Sequence, residues 1–466
     1  MKIFFYLICS VFIFNSYFIY SQNKDDECKY KQSLFHEYVK AKKYEDAYES
    51  WLYVKDNCPK LSIAIYSDGE KILKHFISKS EGVIKKQFVL GLVDLWDKRL
   101  SYFPSKSPFG AYKTKSCQLE FDHKALIGKS GSDLSQCFNT AFTKDRTSFR
   151  NPKSLYTYFS LAVDLFHNRK KSLQEVFDVY DDINEKIEEE EKNYTQKLNV
   201  LVNKENSGKA LSGRDLKLKN SHESYLLNYD LISKSIEAKI GEIADCKNLI
   251  PFYIDKFEDH KTDVIWLKRA VNRMYHKQCT DNVLYENLVK AYDNVAASAD
   301  TKYFVATVLI KKGKFKEAAI YLKQAFDLET NNIKKAKYAE SYGKLLFKMG
   351  NYPKARVYLR KALQLNPSNG NPYLIIAHMY KDSAKHCGND NFKQRAIYWL
   401  AALEALKASK VDKRLKNEAS NYAARYEALA PTREEIFKCG CAGEVIKIGC
   451  WINDSVIVPE IKLQKS

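Results

Sequence analysis

Two stretches of the chain carry the same pattern. Residues 299–330, ADTKYFVATVLIKKGKFKEAAIYLKQAFDLET, align with 336–367, AKYAESYGKLLFKMGNYPKARVYLRKALQLNP. Val305, Ala306, Leu309, Gly313, Phe315, Ala318, Leu322 and Ala325 fall opposite Tyr342, Gly343, Leu346, Gly350, Tyr352, Ala355, Leu359 and Ala362. A repeat of this period made of helical residues constrains the fold more than any other feature, because each unit must bury its apolar face on its neighbours. Small residues at Ala306/Gly343 and Ala318/Ala355 let two antiparallel helices approach, and large apolar residues fill the groove beside them. Gly313 and Gly350 allow the turn between the helices, and Pro367 stops the second helix.

A third unit opens at GNPYLIIAHMY, with Tyr373, Ile376, Ala377 and Tyr380 in the first-helix positions. Its second half departs from the pattern, because KDSAKHCGNDN lengthens the turn before FKQRAIYWLAALEALKA. Another copy lies at the front, where Leu34, Tyr38, Tyr44, Ala47, Trp51 and Pro59 take the corresponding places. Cys28 opens its first helix and Cys58 closes its second, so the two ends lie side by side at the separation a disulfide needs. The stretch from Cys246 to Cys279 repeats the device.

The registered positions are those of the tetratricopeptide repeat, and the expected fold is all-α. It is a right-handed α-solenoid of helical hairpins, with a protruding long helical hairpin and a short extended C-terminal tail. The protruding hairpin comes from residues 172–245, where Tyr180, Ile183, Ile187, Tyr194, Leu198 and Leu201 make one narrow stripe. Tyr225, Tyr229, Ile232, Ile236 and Ile243 make the other, which predicts a coiled-coil seam around the turn ENSGKALSGRD. The acidic run EKIEEEEK reads as a solvated face. The expected organisation is therefore 1–21 signal peptide, 22–171 repeat-like helices with an irregular loop, 172–245 hairpin, 246–432 repeat array and 433–466 tail. Cys117 and Cys137 are expected to pair across the irregular loop.

The N-terminus sets the compartment. Lys2 precedes the apolar run IFFYLICSVFIFNSYFIY, which predicts a secretory signal peptide cleaved after Ser21. At about 18 residues the run also leaves an uncleaved membrane anchor open. Cys9 falls inside it, so ten of the eleven cysteines remain, and an even number in an oxidising compartment favours disulfides. Cys387 in the third unit is expected to pair with Cys450, pinning the tail over the last hydrophobic face of the array. Cys439 and Cys441 either close a ring with each other, or one of them takes the place of Cys450.

Lys and Arg number 76 against 57 Asp and Glu, giving a net charge of +19 and a pI near 9.1. The lysines are scattered, and no pattern of a nucleic-acid reader occurs. A phosphate-binding glycine loop, HExxH and GxSxG are also missing from the sequence. His378 and His386 read as helix-surface or packing residues. Cys387, Cys439, Cys441 and Cys450 would be the donors of a structural zinc, but the CxC spacing and export both speak against it. No cofactor, catalytic residue or metal site is expected.

Beyond the repeat itself, the chain resembles a family of exported tetratricopeptide proteins of Bacteroidota. The words that carry the resemblance are YEDAYESWLYVKDNCP, IYSDGEKIL, LWDKRLSYF, CTDNVLYENLVKAY, LNPSNGNPYLIIAHMY, CGNDNFKQRAIYWLA and GCWI. Cys439 and the segment SPFGAYKTKSCQLEFDHKAL depart from that pattern. The resemblance implies a periplasmic or outer-membrane-associated helical scaffold, of a kind that works in outer-membrane assembly, gliding or type IX secretion. Stacked helix pairs form a concave surface, and its inner helices around Lys302, Tyr303, Tyr338 and Lys344 are expected to receive the partners, envelope proteins or peptide segments and not nucleic acid. An envelope thiol-redox or metal-binding protein using the C-terminal cysteines is the competing function, and binding of an anionic envelope polymer is a third.

Overall fold

The computed structural model describes residues 24–241 and 243–460, so the signal-peptide reading over 1–21 lies outside the described residues. The chain divides into two compact units, Met1–Lys186 and Ile187–Ser466. This boundary falls inside a helix, whereas the sequence suggested a division before residue 172.

In the first unit, α1 (24–40) and α2 (Tyr44–Asn57) are followed by α3 (Ala64–Lys79) and α4 (Gly82–Tyr102). Phe35, Val39, Trp51, Ile65, Ile72, Leu92 and Trp96 form one core between them. Trp51 needs a partner for its indole N–H once buried, and Nε1 donates to the Ile65 carbonyl at 2.7 Å. The segment expected as an irregular loop is helical: α5 (Phe109–Asp122), α6 (Lys124–Ile127) and α7 (Gly131–Lys144) occupy it, followed by α8 (Pro152–His167). Its turn residues act as caps. Ser130 and Asp133 make a capping box at the start of α7, and Asn151 caps α8 with Pro152 in the first turn. The first part of α9 (Leu173–Asn206) buries Val176, Phe177, Tyr180 and Ile183.

In the second unit, the remainder of α9 and α10 (Gly213–Ile240) form the long hairpin. Its seam holds Leu198, Val202 and Leu226, with Tyr194 stacked on Tyr225 at 4.6 Å between ring centres. The acidic run of α9 is not a solvated face throughout, because Glu190 is buried, as is Lys186, whose ammonium donates to the Thr147 carbonyl at 3.4 Å.

The array follows as α11 (Cys246–His260), α12 (Val264–His276), α13 (Val283–Val295), α14 (Ala299–Lys311), α15 (Phe315–Leu328), α16 (Asn332–Lys348), α17 (Tyr352–Leu365), α18 (Asn371–Ser383), α19 (Asn391–Val411), α20 (Lys416–Leu429) and the short α21 (Arg433–Cys439). Gly313 and Gly350 adopt φ of 73° and 79°, the left-handed turn that their position in each pair requires. Ala306, Ala318, Gly343 and Ala355 are buried where the paired helices meet.

The tail is not simply extended. β1 (Val445–Ile448) and β2 (Asp454–Ile457) pair antiparallel, Val445 opposite Ile457 and Ile448 opposite Asp454. Trp451, at the turn, stacks on Tyr352 and lies 5.7 Å from Tyr380, and its Nε1 donates to the Ser383 hydroxyl at 2.9 Å. Arg356 places its guanidinium 5.3 Å from the Trp451 ring and donates to the Ile452 carbonyl at 2.5 Å. The tail thus lies over the edge where α17 begins and α18 ends, and both of its strands also pack on α19.

A Cβ on Gly343 would stand 2.8 Å from Leu359 Cγ and 3.2 Å from the Ala355 carbonyl oxygen. Gly343→Val is therefore expected to lower the unfolding free energy by about 1–3 kcal/mol, read from urea denaturation followed by circular dichroism.

Candidate protein-binding surface of the repeat array

The first helices of successive units, α14 and α16, lie against one another through a layer of tyrosines that begins on α12. Tyr275 and Tyr303 share a hydroxyl hydrogen bond of 2.8 Å, and the Tyr303 and Tyr338 rings are 5.3 Å apart. The Tyr338 hydroxyl donates to Asp300, which also pairs with Lys334 at 2.9 Å. Burial pushes the Tyr338 and Tyr303 hydroxyls well above the ordinary phenol range, with Asp300 adding to the first and Tyr275 to the second. For Asp300 burial acts upward, yet the Tyr338 hydroxyl and Lys334 hold its carboxyl below the usual range. The layer is a neutral, hydrogen-bonded floor carrying fixed charges at its rim.

This floor corrects two of the residues named from the sequence. Tyr303 is 8% and Tyr338 2% exposed, so they pack between helices and offer no open contact to a partner. A large residue at a first-helix position signals either role, and only the neighbouring helix distinguishes them. Lys302 is half-buried and pairs with Asp293 at 2.8 Å. Lys344 is exposed and pairs with Glu340 one turn back at 2.6 Å. Sequence reasoning passed over Lys337, which is exposed on α16 with its ammonium 5.4 Å from the Tyr303 ring, and Lys334 at the start of the same helix. Their spacing of three and seven along α16, ending at Lys344, was readable as one helical face.

The hairpin meets the array along its turns between units. Asn199 Oδ1 accepts from the Ser368 amide at 3.1 Å in the turn after α17. Val411 packs against the seam of Leu198, Val202 and Leu226, and Lys413 pairs with the buried Glu223 at 2.7 Å in the turn after α19. In the turn after α12, Lys277 pairs with Glu237 at 2.5 Å. Between these contacts sits Glu191. Burial raises its carboxyl pKa to about 7, Arg414 opposes the rise, and Glu188 and Asp230 add to it.

Among the described residues, five cysteine pairs are formed. Cys28 and Cys58, Cys246 and Cys279, and Cys117 and Cys137 have Cα separations of 6.4, 5.4 and 5.8 Å. Cys117 and Cys137 join helices α5 and α7 and not the ends of a loop. Cys387 joins Cys450 with Cα atoms 5.5 Å apart, and Cys439 joins Cys441 at 5.3 Å. Of the arrangements left open by the sequence, the ring is the one adopted. Among the described residues, no group of three or more His, Cys, Asp or Glu side chains converges as a metal site requires. His378 Nδ1 lies 2.6 Å from the Leu374 carbonyl, and its ring packs edge-on against Tyr422. No helix among the described residues is long and apolar enough to cross a membrane.

Two family models described as tetratricopeptide repeat match the chain, over residues 299–332 and 336–369, the pairs α14–α15 and α16–α17. The chain thus carries tetratricopeptide repeats, a module that generally mediates protein–protein interaction and is generally not catalytic. No curated protein matches the sequence. Among solved structures, a tetratricopeptide repeat protein from Parabacteroides merdae is 10% identical, with 77% of this chain and 98% of that one covered and a TM-score of 0.32. Yeast Tom70 is 14% identical over 89% and 94% of the two chains, with a TM-score of 0.28. The hetero-tetramer Cut9-Hcn1 of the APC/C gives 11% identity over 86% and 96%, with a TM-score of 0.29.

The Glu191 carboxyl binds its proton more tightly in the folded chain than in the unfolded one, where its pKa is about 4.3. Its contribution to folding is neutral below that value and becomes destabilising as pH rises to about 7. Glu191→Gln is expected to leave the thermal midpoint unchanged at low pH and to raise it progressively between about pH 4.5 and 7, scanned by differential calorimetry.

Proposed function

We propose that this chain is an exported, non-enzymatic scaffold of a bacterial cell envelope that binds protein partners through its repeat array. The observation that carries the reading is the pair of repeats set side by side, with Lys334, Lys337 and Lys344 along α16 above a rigid tyrosine layer. A rigid floor loses little freedom on binding, and exposed lysines favour an acidic, extended segment. The apolar N-terminal run and the ten cysteines of the mature chain support export. The resemblance to envelope repeat proteins supports a setting in outer-membrane assembly, gliding or type IX secretion.

Crosslinking and affinity purification from native envelopes test the reading. Wild-type chain is expected to retain a discrete set of envelope proteins, and the double variant Lys337→Glu/Lys344→Glu to retain at least about tenfold less of them, since each reversal sets like charge against an acidic partner. Equal capture by both chains would place binding elsewhere and overturn the assignment to α16. A thiol count on the exported protein is expected to find no free thiol before reduction. A pair that titrates as thiolate near neutral pH would instead favour the redox function.

A further inference from the structure

The outer end of the hairpin has a charge balance of its own. Between residues 203 and 219 stand Lys204, Lys209, Arg214, Lys217 and Lys219, against Glu205 and Asp215 alone. Both acids are consumed inside the hairpin: Lys204 pairs with Asp215 and Lys219 with Glu205, each at 2.6 Å. Lys209, Arg214 and Lys217 are exposed and have no carboxylate left within the tip to answer them. Among them the tip exposes aliphatic side chains: Leu216 is 48% and Leu218 41% exposed. The contacts that hold the hairpin to the array, at Asn199, Val202, Asn220 and Glu223, lie on the array side of this segment. Gly208, with φ of 78°, ends α9, and the Ser212–Asp215 capping box begins α10, so the tip is a defined turn.

We propose that this tip docks on an anionic lipid surface, with the three cations at the headgroups and Leu216 and Leu218 entering the acyl boundary. Aliphatic side chains exposed on the first turns of a helix suit lipid better than protein, whose contact sites favour aromatic anchors seated in pockets. Cations flanking them add about 1 kcal/mol each near an anionic bilayer. The proposal does not depend on what the repeats bind. A chain held by this tip would keep its array off the bilayer, open to partners.

Cosedimentation of the mature chain, residues 22–466, with vesicles tests it. Binding to phosphatidylglycerol-containing vesicles and none to pure phosphatidylcholine is expected, weakening as salt rises. Replacing Lys209, Arg214 and Lys217 by Gln is expected to reduce the partition on the order of 100-fold. Leu216→Ser/Leu218→Ser is expected to weaken binding while keeping its salt dependence. All these side chains are exposed, and unchanged circular dichroism and thermal midpoint would establish that the variants fold. Vesicle binding that survives the three-Gln variant, no binding to anionic vesicles, or binding only to a soluble acidic polypeptide such as polyglutamate would each overturn the proposal. The Lys337→Glu/Lys344→Glu variant, folded as wild type, is expected to bind vesicles unchanged, which separates this site from the array.

Discussion

The close approach of paired helices at small residues is the constraint on which the second unit rests. Ala306 and Ala318 in one pair, and Gly343 and Ala355 in the next, are buried where a larger side chain would hold the helices apart. Only at that distance do Leu322 and Leu359 fill the space beside them. Successive first helices can then share the layer of Tyr275, Tyr303 and Tyr338. The layer fixes the relative placement of α14 and α16, and with it the spacing of the lysines above. Binding capacity here derives from packing, because the side chains that face outward take their positions from those that do not.

Both edges of the array carry added structure. Along the turns between units the hairpin is held by Asn199, Glu223 and Glu237, and along the turns within units the tail is held by Trp451 and Arg356. Loops tolerate insertion because little packing depends on them, so additions to a repeat array accumulate at its turns. The Cys387–Cys450 bridge ties the lengthened turn of the third unit to the tail that covers it. A disulfide in such a place limits the unfolded chain more than one closing a short loop.

The repeats, the hairpin and the cysteines were legible because each rests on a local signal: a period, a stripe, a spacing. The registered alanines and glycines sit where the pattern puts them, and Gly313 and Gly350 have the expected left-handed φ. What was not legible depends on neighbours distant in sequence. Tyr303 and Tyr338 look the same in sequence whether they face a partner or an adjacent helix. The acidic run of α9 has the composition of a solvated face, yet Glu190 is buried and Glu191 is half-buried beside Arg414. The turn-rich segment around Cys117 misled for another reason: Ser130, Asn151 and Pro152 are as much helix starts as loop residues, and there they cap α7 and α8. The tail alternates apolar and polar residues as a strand does, but its seat on Tyr352 and Tyr380 has no sequence mark beyond Trp451 itself.

An anchored hairpin that presents a free tip is the arrangement linking the array to both proposed surfaces, and hydrogen–deuterium exchange of the whole chain tests it most directly. Amides of residues 198–202 and 223–229 are expected to exchange as slowly as those of α16 to α19, while residues 206–213 exchange within seconds. Fast exchange along the entire hairpin, with the array helices still protected, would contradict an anchored hairpin.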